Sequence, residues 1–256
     1  MNSSTAPNVS LDSTISHFQA SDSLSRTMVL PLCSENEWTP VWEAAKPWHP
    51  PVTPLLVIAP HPDDETLAVG GFISMQVSRG VLVQVVAVTD GENAYADGSN
   101  LATVRRTEQT AAVKQLGLKS TDIIHLGLTD SGLASEESTL VERLLPLVSK
   151  ETQIFAPWTG DFHPDHEACG RAAKAVAQHT GATLTFYFFW TWHRGTPQLL
   201  QGLPLRSVPL SADHQHAKRM ALSHYLSQLN HSSGEPILPD GLLWPARRSS
   251  EVFLPA

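Results

Sequence analysis

Leu55-Leu56-Val57-Ile58-Ala59-Pro60-His61-Pro62-Asp63-Asp64-Glu65 is an apolar run of strand length that ends in an imidazole and three carboxylates. An unbroken run of this length reads as a buried strand, because a strand with one wet face would alternate apolar with polar residues. Pro62 stiffens the turn that follows. Acidic side chains there suit the positive end of a helix dipole, so the stretch predicts strand, turn, helix. The same acids, together with His61, can also hold a metal.

Working outward, the pattern predicts a helix over residues 66–79, a second strand over 81–89, a helix over 101–116 stopped by Gly117, and a third strand over 123–126. A helix over 136–149 and a fourth strand over 153–156 follow, then a helix from His166 to about His179, a β-rich run over 183–192, a short strand over 205–210 and a last helix over 212–230. Strands alternating with helices imply an α/β, Rossmann-like three-layer fold around a mostly parallel sheet, whose ligands collect beyond the carboxyl ends of the strands. Residues 1–54 are expected to be an N-terminal extension, loosely ordered to about residue 27 and irregular between Trp38 and Pro54, where Trp42 and Trp48 would anchor it. Residues 55–256 are expected to form the catalytic domain. Glu251-Val-Phe-Leu254 is expected to return to the core.

Composition narrows the function. With 17 Lys and Arg against 25 Asp and Glu, the formal charge of -8 disfavours nucleic acid and anionic membrane surfaces. No apolar run reaches membrane-spanning length, and the first residues lack a basic region followed by an apolar stretch, so a cytoplasmic protein with a small-molecule substrate is expected. A homo-oligomer is compatible with the sequence. Cys33 and Cys169 are the only cysteines, in no arrangement that suggests a disulfide framework or a thiolate zinc site. Any metal must be held by His and carboxylate.

A second segment after the fourth strand, His163-Pro164-Asp165-His166, offers two more imidazoles and a carboxylate. His61, Asp64 and His166 together make a chemically sensible three-ligand zinc site with a position left open for water. Asp63, beside a ligand but pointing elsewhere, could serve as general base. Zn²⁺ is the expected cofactor, and Fe²⁺ also suits such donors.

These motifs resemble the PIG-L/LmbE-like zinc-dependent N-deacetylases. Ala59-Pro-His-Pro-Asp-Asp-Glu65 is similar to that family's A-H-P-D-D-E, with Pro60 extra, and the likeness runs from about Leu55 to Gln228. It implies His61, Asp64 and His166 as zinc ligands and Asp63 as base. It further implies that His163 stabilises the oxyanion or protonates the leaving amine, with Asp165 orienting it. Arg105-x-x-Glu108 followed by Leu116-Gly117 resembles the family's R-x-x-E helix, and Gly127-Leu-Thr-Asp130 the loop whose Asp lies near the site. Lys218 to Gln228 is similar to K-x-x-A-L-x-x-H-x-S-Q, from which His224 is read as facing the pocket. Arg105, Asp130 and His224 are thus expected at the substrate, with Arg106 as a substitute for Arg105. The activity implied is removal of an N-acetyl group from an amino-sugar conjugate. Two other readings remain: a metal- or sugar-binding module on the same fold, and a Mg²⁺-dependent phosphoacceptor regulatory domain, which His166 argues against because Mg²⁺ prefers oxygen ligands. The aromatic run Phe186 to Trp192 lies outside the shared motifs. Most of its rings are expected in the core, with Trp190, Trp192 or His193 able to edge a sugar site.

Overall fold

In a computed structural model, which describes residues 31–95, 101–230 and 234–256, the chain runs α1 (Glu35–Glu43), β1 (Lys46–Pro47), β2 (Leu55–Ala59), α2 (Asp64–Ser78), β3 (Val83–Thr89), α3 (Ala102–Gln115), β4 (Ile123–Leu128), α4 (Glu137–Leu144), β5 (Gln153–Pro157), α5 (Pro164–Thr180), β6 (Thr183–Tyr187), α6 (Trp190–Arg194), α7 (Pro197–Leu200), β7 (Arg206–Pro209), α8 (Ala212–Leu222), α9 (Leu226–Leu229) and β8 (Ser250–Pro255). The loosely ordered arm expected to about residue 27 lies outside the described residues.

One sheet of order β1-β7-β8-β6-β5-β2-β3-β4 crosses the molecule. Neighbours are parallel except β8, which runs antiparallel to both β6 and β7. The quoted strand is central, and all five of its residues are buried. Along it, Leu55, Val57 and Ala59 face a core shared with Val69, Phe72, Val85 and Phe155, while Leu56 and Ile58 face Val86, Ile154, Ala172 and Val176. Burial on both sides is why the run does not alternate. The result is the three-layer α/β fold, with a mostly parallel sheet, that the sequence predicts.

Departures from the expected elements have local causes. The segment from Trp38 to Pro54 is not simply irregular: α1 begins in a capping box between Ser34 and Glu37, Trp38 is buried edge-on against Trp192 at 5.0 Å, and Lys46 pairs with Arg206 at the sheet edge. Pro146, which has no N–H, interrupts the helix expected to Ser149, and a single 3₁₀ turn follows. The β-rich run stops at Tyr187 and turns into α6. The last helix breaks after Leu222 and restarts at Leu226. The C-terminal residues do return to the core as β8. There the buried Glu251 carboxylate accepts from Gly71 N (2.9 Å), Phe72 N (2.8 Å) and Lys218 Nζ (2.6 Å), tying the strand to α2 and α8. Among the described residues no helix is long and apolar enough to cross a membrane.

Candidate active site

From β2 the chain adds β3 and β4 on one side, then β5 on the other. The crevice at the carboxyl ends of β2 and β5 is therefore the switch point, where open α/β sheets bind ligands. The loops after β2, β4 and β5 meet there. They contain every described non-glycine residue with positive φ: Asp63 at 131°, Ser131 at 65° and Phe162 at 58°. Such backbone persists only where surrounding bonds fix it.

At the centre, Asp64 Oδ2 lies 3.2 Å from His61 Nδ1 and 3.3 Å from His166 Nε2. One ligand atom from each residue fits within a 4.8 Å span. His166 is fully buried, and among the described residues its Nε2 makes no well-aligned hydrogen bond, facing the Asp64 carboxylate instead. Burial alone would lower the His61 and His166 pKa values, but neighbouring carboxylates outweigh it. His61 is held well above its ordinary value by Asp130, Asp165 and Asp64, and His166 is raised to about 9 by Asp64 and Asp161. Burial would likewise raise Asp64, yet His166 and His61 hold it well below the usual carboxylate range. The pocket thus attracts positive charge, and protons on two imidazoles supply it. A divalent cation bound by deprotonated ligands would replace those protons.

Three carboxylates set the imidazole rings. His61 Nε2 faces Asp165 Oδ2 at 3.2 Å and Asp130 Oδ1 at 3.3 Å. His166 Nδ1 lies 2.8 Å from Asp161 Oδ2. Asp161 also accepts from the backbone N–H groups of Phe189 (3.1 Å), Trp190 (3.2 Å) and Thr191 (2.9 Å) and from Thr191 Oγ1 (2.6 Å). An imidazole whose far nitrogen is held by a carboxylate has a fixed orientation and greater basicity as a ligand. Sequence reasoning missed Asp161, although an acid at a strand end just ahead of His163 was a usable signal.

Asp63 immediately precedes the first residue of α2. Its Oδ2 accepts from Arg105 Nη2 at 3.1 Å. Burial pushes Asp63 up to about 8, with Arg105 pulling against it. Arg105 also donates to Pro62 O (2.8 Å) and Gly91 O (3.0 Å) and is only 4% exposed. It therefore backs Asp63 instead of standing at an open substrate wall, as was expected of it. A Cβ at Gly91, where φ is +62°, would lie 2.0 Å from Arg105 Nη1, so the guanidinium occupies space that only glycine leaves. Arg106 does not substitute for Arg105. It forms a bidentate pair with Asp90, at 2.6 Å on each oxygen.

Beneath Asp63, the fully buried Glu65 carboxylate accepts from Thr66 Oγ1 (2.9 Å), Gln109 Nε2 (3.1 Å), the Tyr225 hydroxyl and Asp63 N (3.3 Å). All four donors are neutral, and burial raises its pKa despite them. Tyr225 stands where the quoted K-x-x-A-L-x-x-H motif has its histidine, one position after His224. That register corrects the expectation for His224, which is half-buried beside Gln115 at the far end of α3, 3.2 Å away.

His163 caps α5, with Pro164 at the first helical position. Its Nδ1 accepts from Asp165 N at 3.3 Å, which assigns the hydrogen to Nε2. Burial, then the neighbouring His166 and His61, push it down to about 2. The ring is neutral, because burial disfavours its charged form and a further positive charge beside those imidazoles is unfavourable. The Asp165 carboxylate does not orient it. That side chain accepts from Ser131 N (2.7 Å) and Leu133 N (3.1 Å) while facing His61. Asp130 is likewise bound inward, with Oδ2 accepting from Asn93 N at 2.9 Å. His163 is flanked by Trp190, stacked at 5.9 Å and 16°.

Residues 56–177 match the family model PIG-L, GlcNAc-PI de-N-acetylase. Over 137 residues the chain is 33% identical to a probable N-acetyl-alpha-D-glucosaminyl L-malate deacetylase 2 from Bacillus cereus, covering 48% of this chain and 61% of the relative. Over 172 residues it is 32% identical to a 1D-myo-inositol 2-acetamido-2-deoxy-alpha-D-glucopyranoside deacetylase from Mycolicibacterium smegmatis, covering 54% and 58%. The chain spans about three-fifths of the length of the first curated relatives it matches. In fold it resembles N,N'-diacetylchitobiose deacetylase from Pyrococcus horikoshii, with a TM-score of 0.61, 23% identity, and 87% and 86% of the two chains covered. The segment that matches the family model holds His61, Asp64 and His166 together with Asp63 and His163.

Proposed function

We propose that this protein, whose residues 56–177 match the PIG-L family model, is a metal-dependent N-deacetylase that hydrolyses the N-acetyl amide of an amino-sugar conjugate to acetate and free amine. The observation that carries the reading is the convergence of ligand atoms from His61, Asp64 and the fully buried His166 within 4.8 Å of one another, with Asp63 in the adjoining position. The names of the two curated relatives supply the substrate class. The donor set fits a divalent cation: two imidazoles and a carboxylate suit Zn²⁺ or Fe²⁺, and the surrounding carboxylates favour positive charge. His61, Asp64 and His166 would hold the ion. When bound, it would supply Lewis acidity toward the amide carbonyl and toward a water molecule.

The chain's own groups account for the proton traffic. Asp63 accepts a proton from the attacking water as the new C–O bond forms. A pKa near the working pH suits a base, and the Arg105 hydrogen bond fixes which oxygen remains free to act. His163, neutral with its hydrogen on Nε2, donates a hydrogen bond to the developing oxyanion, a role that does not require an imidazolium. The proton held by Asp63 then passes to the nitrogen as the C–N bond breaks.

The test is acetate release from a panel of N-acetylated amino sugars and their conjugates. Metal-free, Zn²⁺-loaded and Fe²⁺-loaded protein are compared beside Asp63→Asn. Release should require metal and be lost in the variant. A protein holding one equivalent of metal that releases no acetate from any panel member would overturn the proposal.

A further inference from the structure

Phe162, between Asp161 and His163, is 40% exposed and sits at φ 58°, a region that bulky side chains rarely adopt. Two features hold it there. Its carbonyl accepts from Arg194 Nη1 at 2.7 Å, and its ring lies over the bare backbone of Gly195, where an added Cβ would meet Phe162 Cε2 at 3.3 Å. The same Cβ would meet Leu199 Cδ2 at 3.3 Å, so Phe162 and Leu199, which is 39% exposed, close over one spot. Arg194 also lies 4.0 Å from the centroid of Trp190, whose ring stacks on His163. An apolar shelf therefore begins one residue from His163, at the carboxyl ends of β5 and β6, and Trp190 joins it to the His163 ring by stacking.

We propose that this shelf of Phe162, Leu199 and Trp190 is a specificity subsite for an apolar substituent of the substrate, an alkyl chain or aryl ring carried next to the scissile amide. The inference rests on the deacetylase reading and narrows its substrate to amphipathic conjugates. A strained backbone that holds an aromatic ring open to solvent is unfavourable in the free protein, and burying that ring under a ligand recovers apolar surface. Hydrocarbon on the shelf would displace water from both Phe162 and Leu199. The substituent has two chemical sources, the group glycosidically linked to the sugar or a lengthened N-acyl chain.

The experiment uses metal-loaded Asp63→Asn protein, which should bind substrate without turning it over. Calorimetry compares methyl with hexyl glycosides of N-acetylglucosamine, and N-acetyl- with N-hexanoylglucosamine. One hexyl-bearing compound should bind at least about tenfold more tightly than its short counterpart, and the pair that shows the gain identifies the source. Adding Phe162→Asn, which tolerates the left-handed backbone, or Leu199→Ser at an exposed position, should bring that ratio toward one. Equal binding within both pairs, or a preference that survives both substitutions, would overturn the shelf. Acetate release by the unsubstituted protein is recorded in parallel. Turnover without apolar preference defeats the subsite alone, and apolar preference without turnover defeats the deacetylase reading alone.

Discussion

The turns that open α2 and α5 are near copies in sequence, His61-Pro-Asp-Asp64 and His163-Pro-Asp-His166, but the structure uses them differently. Both deliver their fourth residue, Asp64 or His166, to the cluster. Their third residues diverge. α2 begins at the motif's fourth position and α5 at its second. In the first turn, Asp63 stays outside the helix at φ 131°, held by Glu65 beneath its N–H and by Arg105 on Pro62 O. In the second, Asp165 is already helical, and its carboxylate is occupied by Ser131 N and Leu133 N. The same letters give a carboxylate held by Arg105 in one turn and a brace for His61 in the other, because the groups packed behind each turn decide where its helix starts.

Matched substitutions at the third position are the strongest way to break this comparison. Asp63→Asn should lower kcat for acetate release by roughly three orders of magnitude or more while leaving metal affinity close to that of the parent protein. Asp165→Asn should chiefly weaken metal binding, by about 10–100-fold, through loss of the His61 brace. Metal titration and saturating-metal kinetics separate the two. If Asp165→Asn at saturating metal is as inactive as Asp63→Asn, the division of roles is wrong.

Asp161 is the counterpart, around α5, of the groups that hold Asp63. Asp161→Ala frees His166 Nδ1 and strands the N–H groups of Phe189, Trp190 and Thr191. Metal affinity should fall by about 10–100-fold, and urea unfolding of the metal-free protein should show a loss of about 3 kcal/mol or more. Unchanged stability would mean that these amides find other partners.

The cluster's charge makes a further expectation with a definite sign. In the metal-free protein His166 is raised to about 9, so at neutral pH a metal must displace its proton. Affinity should therefore weaken as pH falls below about 9, by about tenfold per pH unit for each proton released. Calorimetry in buffers of different ionisation enthalpy counts those protons. Uptake without proton release would place the metal elsewhere.

Gly91→Ala tests the first turn from behind, since its Cβ would displace the Arg105 guanidinium from Asp63. Activity should fall by roughly tenfold as the base loses its fixed orientation, with metal affinity little changed. A loss of metal binding instead would show that Arg105 supports the whole turn.

The legible part of the fold was the part with one-dimensional signals. The unbroken Leu55–Ala59 run announced a strand covered on both faces, and His61, Asp64 and His166 announced themselves by clustering after strands. The supporting shell was not legible, because its partners are distant in sequence. Arg105 was reached only through the R-x-x-E resemblance, nothing near Asp63 indicates Gly91, and nothing near Glu65 indicates Tyr225. Even Asp165, named as a site residue, was assigned the wrong imidazole. Adjacency to His163 was a poor guide once Asp165 entered the helix and turned toward His61. The aromatic run after β6 misled in a similar way, because β propensity does not reveal that Asp161 gathers the amides of Phe189, Trp190 and Thr191 into the start of a helix.

The smallest effects sharpen the comparison at its outer layer, where His224 and Tyr225 are adjacent but differently placed. Tyr225→Phe removes a hydroxyl that donates to Glu65 and meets Thr66 Oγ1 at 3.2 Å, leaving a buried carboxylate with one donor fewer. The expected cost is about 1–2 kcal/mol in unfolding free energy. Since Glu65 also accepts from Asp63 N, a modest fall in kcat with KM nearly constant should accompany it. His224→Ala removes a half-buried ring beside Gln115 and should change neither stability nor turnover by more than about 0.5 kcal/mol. If His224→Ala proves the more damaging of the two, the shell beneath Asp63 does not set the first turn, and the contrast with α5 needs another cause.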